Sequence, residues 1–156
     1  MIYCVLFFAV CIGGIIARSM YETRHFKVTE YTFWNKKIQN DVKLVFLADL
    51  HNNCFGERNE ELIDRIRQEN PDAILLGGDL IIGKGKRIKT EHAYELLKGI
   101  EEIAPVYYTF GNHEARVEED NRFKEYIQRV QQTKTILLNN QFVFAQAGKT
   151  TMSLYG

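Results

Sequence analysis

Three apolar runs that each end in polar residues place the strongest constraint on the fold of this chain. The runs are "DVKLVFLADLH" (41–51), "DAILLGGDL" (72–80) and "APVYYTFGNHE" (104–114). The segments between them, 57–70 and 90–103, carry apolar residues at helical spacing. Strands that alternate with helices of this length predict right-handed βαβ units, a largely parallel sheet and an α/β fold.

The remaining segments have weaker patterns. Residues 118–132 have helical periodicity, and residues 25–35 alternate apolar with polar side chains as a half-buried strand does. Three short stretches near the carboxyl terminus are also predicted to be strands: 135–140, 142–147 and 151–156.

Polar side chains of one chemical kind follow the three apolar runs. Asp49 and His51 follow the first, Asp79 the second, and Asn112 with His113 the third. The carboxyl ends of parallel strands meet at one edge of a sheet, so we expect all five side chains to gather there. If the first strand extends through residue 51, then Asp49 and His51 also point to the same face.

Carboxylate, imidazole and amide groups suit divalent manganese, iron, zinc or nickel. The three cysteines form no C-x-x-C pair, so a structural zinc knuckle is not indicated. A carboxylate such as Asp79 can bridge two ions. A pair of ions can hold a hydroxide nucleophile and neutralise a phosphoryl group, which predicts hydrolysis of phosphate esters.

The sequences "DLH" (49–51), "GD" (78–79) and "GNHE" (111–114), in this order, resemble the first three motifs of the calcineurin-like metallophosphoesterases. The resemblance covers residues 42–156. It implies an α/β/β/α sandwich, of which the chain contains the N-terminal βαβαβ part. With its apolar amino terminus, the chain is also similar to the membrane-associated bacterial members of that family.

The resemblance implies a role for each residue. Asp49 and His51 would bind a first metal, Asp79 would bridge two metals, and Asn112 would bind the second. His113 would be catalytic, donating a proton to the leaving group or stabilising its charge. Two divalent ions, manganese first and iron, zinc or nickel as alternatives, would act on a phosphate-ester substrate through a bridging hydroxide.

Two departures from the family pattern affect these expectations. Ile82 stands where many members have an acidic residue that orients the histidine, so His113 either lacks this partner or borrows Glu114. The two later histidine motifs of the family do not occur in these 156 residues. We therefore expect this chain by itself to be nearly inactive, and a partial domain without catalysis is an alternative.

A nucleotide-binding P-loop is the main rival interpretation. Residues 78–85, "GDLIIGKG", fit G-x-x-x-x-G-K but end in Gly85 where Ser or Thr should meet magnesium. Asp79 would also place a negative charge inside the phosphate cradle. With 20 basic and 20 acidic side chains, the composition does not indicate a nucleic-acid partner.

The amino terminus carries no charge until Arg18. We expect a transmembrane helix over 1–18 that contacts membrane lipid, a juxtamembrane strand segment over 19–41, and a partial phosphoesterase domain over 42–156. A cleaved signal peptide and a buried core helix are the alternatives. The predicted location is the cell membrane, single-pass, and the basic residues after the span favour a cytoplasmic domain.

Overall fold

A computed structural model describes residues 2–38, 40–85 and 87–156. Contacts divide the chain into two compact units, one up to Tyr31 and one from Thr32 onward. The domain limits predicted from the sequence differ from this division and stay a prediction.

The first unit contains one helix, α1 (Ile2–Glu22). An exposed salt bridge of 2.9 Å between Arg18 and Glu22 lies in its last turns. Beyond the helix, the His25 ring stacks on Tyr21 with 4.0 Å between the ring centroids.

The predicted membrane anchor is wrong, and so is the predicted single-pass membrane location. Among the described residues, no helix combines the length and the apolar character that crossing a bilayer requires. The charge-free part of α1 ends at Ala17, which gives it a rise of about 24 Å from Ile2, less than the ~30 Å of a hydrocarbon core. The contact with membrane lipid that was predicted for this helix is not tested and stays a prediction.

The strand predicted for residues 25–35 is also wrong. All of these residues are described, and none belongs to a strand. Three of the apolar side chains that suggested the strand are exposed: Val28, Tyr31 and Phe33. Alternation alone does not form a strand when no neighbouring strand accepts its hydrogen bonds.

The second unit contains the α/β fold that the sequence predicts. Its strands are β1 (Leu44–Leu47), β2 (Ala73–Leu76), β3 (Ile82–Lys84), β4 (Arg87–Lys89), β5 (Val106–Thr109), β6 (Ile136–Leu138), β7 (Phe142–Ala147) and β8 (Thr150–Tyr155). Its helices are α2 (Glu60–Glu69), preceded by a 3₁₀ turn (Glu57–Asn59), α3 (Glu91–Ile100), α4 (Asn112–Arg116) and α5 (Asn121–Val130).

Four parallel strands form the main sheet in the order β1-β2-β5-β6. Each successive strand is added on the same side of the previous one, so the direction of winding never reverses. Since βαβ crossovers are right-handed, α2, α3 and α5 all lie on one face of the sheet. The opposite face of the sheet has none of these helices on it and can pack against another layer.

The antiparallel hairpin β7–β8 packs against this opposite face. A buried apolar cluster joins the two sheets and consists of Ala73, Tyr107, Leu138, Ala145 and Ala147. The layers of the second unit are therefore helices, parallel sheet and hairpin, which agrees with the α/β/β part of the predicted sandwich.

A second hairpin, β3–β4, was not predicted. Its sequence includes the basic run 84–89, which looks like a solvated loop. The hairpin is short. It is relevant to function because Gly83 of β3 contacts a residue of the candidate site.

Candidate metal centre

The loops that follow β1 and β2 are joined by backbone hydrogen bonds. The Asp49 amide donates to the Gly78 carbonyl at 3.1 Å, and the His51 amide donates to the Asp79 carbonyl at 2.9 Å. These bonds continue the pairing of the two strands beyond their carboxyl ends. They bring the first two sequence motifs side by side.

The side chains in these loops converge for a different reason from the one predicted. β1 ends at Leu47, so Asp49 and His51 are not on a strand. Both adopt left-handed backbone conformations, with φ of 56° and 49°, and Asp79 does the same with φ of 53°. Such conformations are unfavourable for residues other than glycine and concentrate at functional sites.

Three of the predicted side chains form a compact group of potential metal ligands. One ligand atom each from His51, Asp79 and His113 lies within 4.8 Å of the others. Asp49 adjoins this group, since its Oδ1 is 3.6 Å from His51 Nε2. The Asp49 carboxylate is 73% exposed, whereas residue Asp79 is only 7% exposed.

The third motif is held against Asp79 by two hydrogen bonds. Asn112 begins α4, and its Nδ2 donates to Asp79 Oδ2 at 3.0 Å. The His113 amide donates to Asp79 Oδ1 at 2.7 Å. All five residues predicted from the sequence therefore belong to one connected group.

The His113 ring is oriented by the backbone of β3. The Gly83 amide donates to His113 Nδ1 at 3.0 Å. A β-carbon on Gly83 would lie 2.2 Å from the His113 carbonyl oxygen, so only glycine permits this approach. Of the two alternatives for His113, the loan of Glu114 is wrong, because that carboxylate binds other groups. His113 has a backbone amide in place of an acidic partner.

Glu114 instead organises the backbone around the site. Its carboxylate is fully buried and accepts hydrogen bonds from the amides of Asp79 (2.9 Å), Leu80 (2.9 Å) and Gly111 (3.1 Å). The Tyr108 hydroxyl donates to it at 2.8 Å. One side chain thus fixes the second motif relative to the third.

Tyr108 remains a hydrogen-bond donor over a wide pH range. Burial raises the pKa of its hydroxyl well above the ordinary value, and the neighbouring Tyr126 and Glu114 raise it further. The protonated hydroxyl satisfies one oxygen of the buried Glu114 carboxylate.

The glycines beside Asp79 permit close packing of the two loops. Gly78 has φ of 88°, a conformation that favours glycine. A β-carbon on Gly111 would lie 2.3 Å from Asp79 Oδ1. Both glycines therefore allow the two loops to approach each other closely.

The same contacts exclude a P-loop at residues 78–85. In a P-loop, successive backbone amides bind phosphate. Here the amides of Asp79 and Leu80 bind the carboxylate of Glu114, and Leu80 and Ile81 are fully buried. Phosphate has no access to these amides.

The residues present fit divalent metal ions. In the part of the chain that the structure describes, Asp79 forms no ion pair with Lys or Arg, although its carboxylate is nearly buried. A buried carboxylate beside two imidazoles, a second carboxylate and an amide is a donor set that divalent transition ions prefer.

Sequence reasoning missed Gly83 and the structural role of Glu114. Gly83 gives no signal in the sequence, because its role depends on a close approach between β3 and α4. Glu114 has a weak signal, since a glutamate three residues after a helix cap often reaches back to the cap amide, as it does to Gly111.

Comparison with known proteins agrees with this geometry. No curated protein matches the chain. A family model described as calcineurin-like phosphoesterase matches residues 42–155, which include every residue of the site. The chain therefore belongs to the calcineurin-like phosphoesterase family.

Proposed function

We propose that this protein hydrolyses phosphate esters with two divalent ions held by Asp49, His51, Asp79 and Asn112. The observation that carries the proposal is the convergence of three loops on Asp79, whose carboxylate contacts both Asn112 and His113. The donor set has no thiolate, which favours manganese or iron over ions that prefer sulfur.

Bound divalent ions supply Lewis-acid chemistry, lowering the pKa of water and neutralising charge on a phosphoryl group. The protein's own contribution is to place a hydrogen-bond donor beside them. Because Gly83 donates to Nδ1 of His113, the neutral ring carries its proton on Nε2. We assign this N–H to a hydrogen bond that stabilises the charge on the oxygen of the leaving group.

A second hypothesis concerns the role of His113. One of its ligand atoms lies within 4.8 Å of those of His51 and Asp79, which also suits a metal ligand. A neutral imidazole that binds a metal through Nε2 carries its proton on Nδ1, so this role would require the hydrogen bond from Gly83 to break. The two roles therefore exclude each other.

The proposal is tested by Mn²⁺ binding to the 156-residue chain, followed by electron paramagnetic resonance, beside hydrolysis of p-nitrophenyl phosphate. Asp79→Asn removes the central negative charge while keeping the shape of the side chain. We expect it to weaken Mn²⁺ binding at least about tenfold and to abolish the low hydrolysis that we expect of this chain. Asp64→Asn is the matched control, because Asp64 is an exposed residue of α2.

The two measurements separate the alternatives. Binding lost in Asp79→Asn together with hydrolysis by the unmodified chain supports the proposal. Binding lost without any hydrolysis by the unmodified chain supports the alternative of an inactive partial domain. If Asp79→Asn and Asp64→Asn bind Mn²⁺ equally well, Asp79 is not a metal ligand and the proposal is rejected.

A further inference from the structure

A second group of potential metal ligands involves none of the five residues at the candidate centre. One ligand atom each from Cys54, His92 and Glu95 lies within 4.8 Å of the others. Cys54 is a free cysteine in the loop after β1, and the other two residues belong to the first turns of α3. All three are partly exposed, so an ion from solution has access to them.

Buried asparagines hold the two segments of this group together. Asn59 is fully buried; its Oδ1 accepts from the Phe55 amide at 3.1 Å, and its Nδ2 donates to the His92 carbonyl at 2.9 Å. From the same loop as Cys54, Asn52 accepts from the His92 amide at 3.1 Å. The backbones that carry Cys54 and His92 are therefore fixed on both sides of the cysteine.

The side chains of the helical pair are already oriented toward each other. His92 Nδ1 lies 3.0 Å from Glu95 Oε2. The other carboxylate oxygen, Oε1, lies 3.5 Å from Nε of Arg58. Arg58 thus contacts one carboxylate oxygen of Glu95, and the other oxygen, Oε2, stays beside His92.

We propose that Cys54, His92 and Glu95 form a second metal site, selective for zinc or a similar thiolate-binding ion. Thiolate, imidazole and carboxylate are all established zinc ligands, and three protein ligands with one open position make a common tetrahedral site. Ligand atoms around one tetrahedral zinc lie about 3.3 to 3.7 Å apart, given its bond lengths of about 2.0 to 2.3 Å. The three ligand atoms now lie within 4.8 Å of one another and would approach to that spacing when the ion binds.

The chemistry of this site differs from that of the candidate centre around Asp79. A thiolate and a carboxylate together balance the charge of a divalent ion. The thiolate also selects zinc or cobalt over manganese and magnesium, which prefer oxygen ligands. Since the ion would join the loop after β1 to α3, its binding should also stabilise the folded chain.

Cobalt is a direct probe, because a thiolate bound to Co²⁺ gives a charge-transfer band in the near ultraviolet. The full chain is titrated with Co²⁺ under reducing conditions, and bound Co²⁺ is then displaced with Zn²⁺. We expect the band in the unmodified chain and its loss in Cys54→Ser. Glu95→Gln keeps the side-chain shape and should weaken Co²⁺ binding about tenfold or more.

Two controls make the result specific. The double variant Cys4→Ser/Cys11→Ser leaves Cys54 as the single cysteine and should keep the band. Asp79→Asn should also keep it, so the outcome does not depend on the function proposed above. Circular dichroism establishes that each variant is folded. The proposal is overturned if saturating Co²⁺ gives no band, or if a folded Cys54→Ser chain gives the same band.

Discussion

Glu114 shows how one buried side chain can hold a site together without taking part in its chemistry. It accepts five hydrogen bonds, four of them from backbone amides and one from the Tyr108 hydroxyl. These amides face inward, so water cannot replace the carboxylate. Donors left unpaired in a buried position are costly.

Glu114→Gln should therefore destabilise the second unit strongly. The amide group of Gln has only one accepting oxygen, and its NH₂ would face donors that now bind the carboxylate. We expect the free energy of unfolding, measured with urea, to fall by about 2 to 5 kcal/mol. Glu118→Gln is the matched control, because Glu118 is exposed, and it should change the free energy by less than about 0.5 kcal/mol.

Equal stability of the two variants would mean that Glu114 is not needed to hold the loops. A selective loss in Glu114→Gln, with Mn²⁺ binding weakened as well, would instead show that the metal centre depends on this carboxylate.

The residue types of the candidate site could be predicted, but their conformations could not. Asp49, Asp79 and His113 follow apolar strands in a βαβ order, and that order alone brings them to one edge of the sheet. The left-handed backbone at Asp49 and Asp79 depends on hydrogen bonds between loops that are distant in sequence. Likewise, the sequence does not indicate which side chain a backbone amide such as that of Gly83 will bind.

At the scale of the elements, α5 packs through aromatic residues against the segment that follows β5. Phe110, just after β5, contacts Phe123 of α5 with 5.6 Å between ring centroids, and Phe123 contacts Tyr126 at 6.0 Å. Burial raises the pKa of the Tyr126 hydroxyl above its ordinary value of 10.0. The packing of this helix therefore depends on a protonated phenol.

This packing predicts how stability changes in alkali. Because the pKa of Tyr126 is raised in the folded chain, its contribution is complete below about pH 10 and is lost as the pH rises from there through the raised value. Tyr126→Phe should make the alkaline fall in unfolding free energy shallower, by up to about 1.4 kcal/mol per pH unit. Urea denaturation at several pH values above 9 measures the slope.

Tyr155→Phe provides the comparison, because the Tyr155 side chain is exposed. Its slope should equal that of the unmodified chain. If Tyr126→Phe also has the unmodified slope, then Tyr126 does not stay protonated in the folded protein.

Helices and strands that pack against a buried partner could be predicted from the sequence, whereas exposed segments could not. The central strands of the parallel sheet, β2 and β5, are apolar because both of their faces are covered, so their sequences identify them. Within the described residues, the segment 25–35 has a strand pattern but pairs with no strand. By contrast, β3 and β4 form a hairpin from a basic sequence. Pairing is a tertiary property, which alternation along the chain does not contain.

For the second unit as a whole, strand order explains where the apolar surface lies. Since the sheet winds in one direction, all crossover helices cover one face, and the β7–β8 hairpin covers part of the other. Large apolar side chains remain exposed on the strands, among them Phe46 of β1 and Phe142 and Phe144 of β7. The sequence predicted strands here, but not which of their faces would stay uncovered.

The exposed aromatic residues of β7 should cause the protein to associate at high concentration. Phe142 and Phe144 contact each other with 5.0 Å between ring centroids, and Phe144 is 72% exposed. Contiguous apolar surface and unpaired strand edges both favour association between copies. Phe144→Lys should reduce light scattering at high concentration while changing the free energy of unfolding by less than about 0.5 kcal/mol.

Gln146→Lys is the matched control, because it adds the same charge on the same face of β7 without removing an aromatic ring. If both variants reduce scattering equally, net charge controls association; if neither does, this surface is not responsible. Only a selective effect of Phe144→Lys supports the prediction.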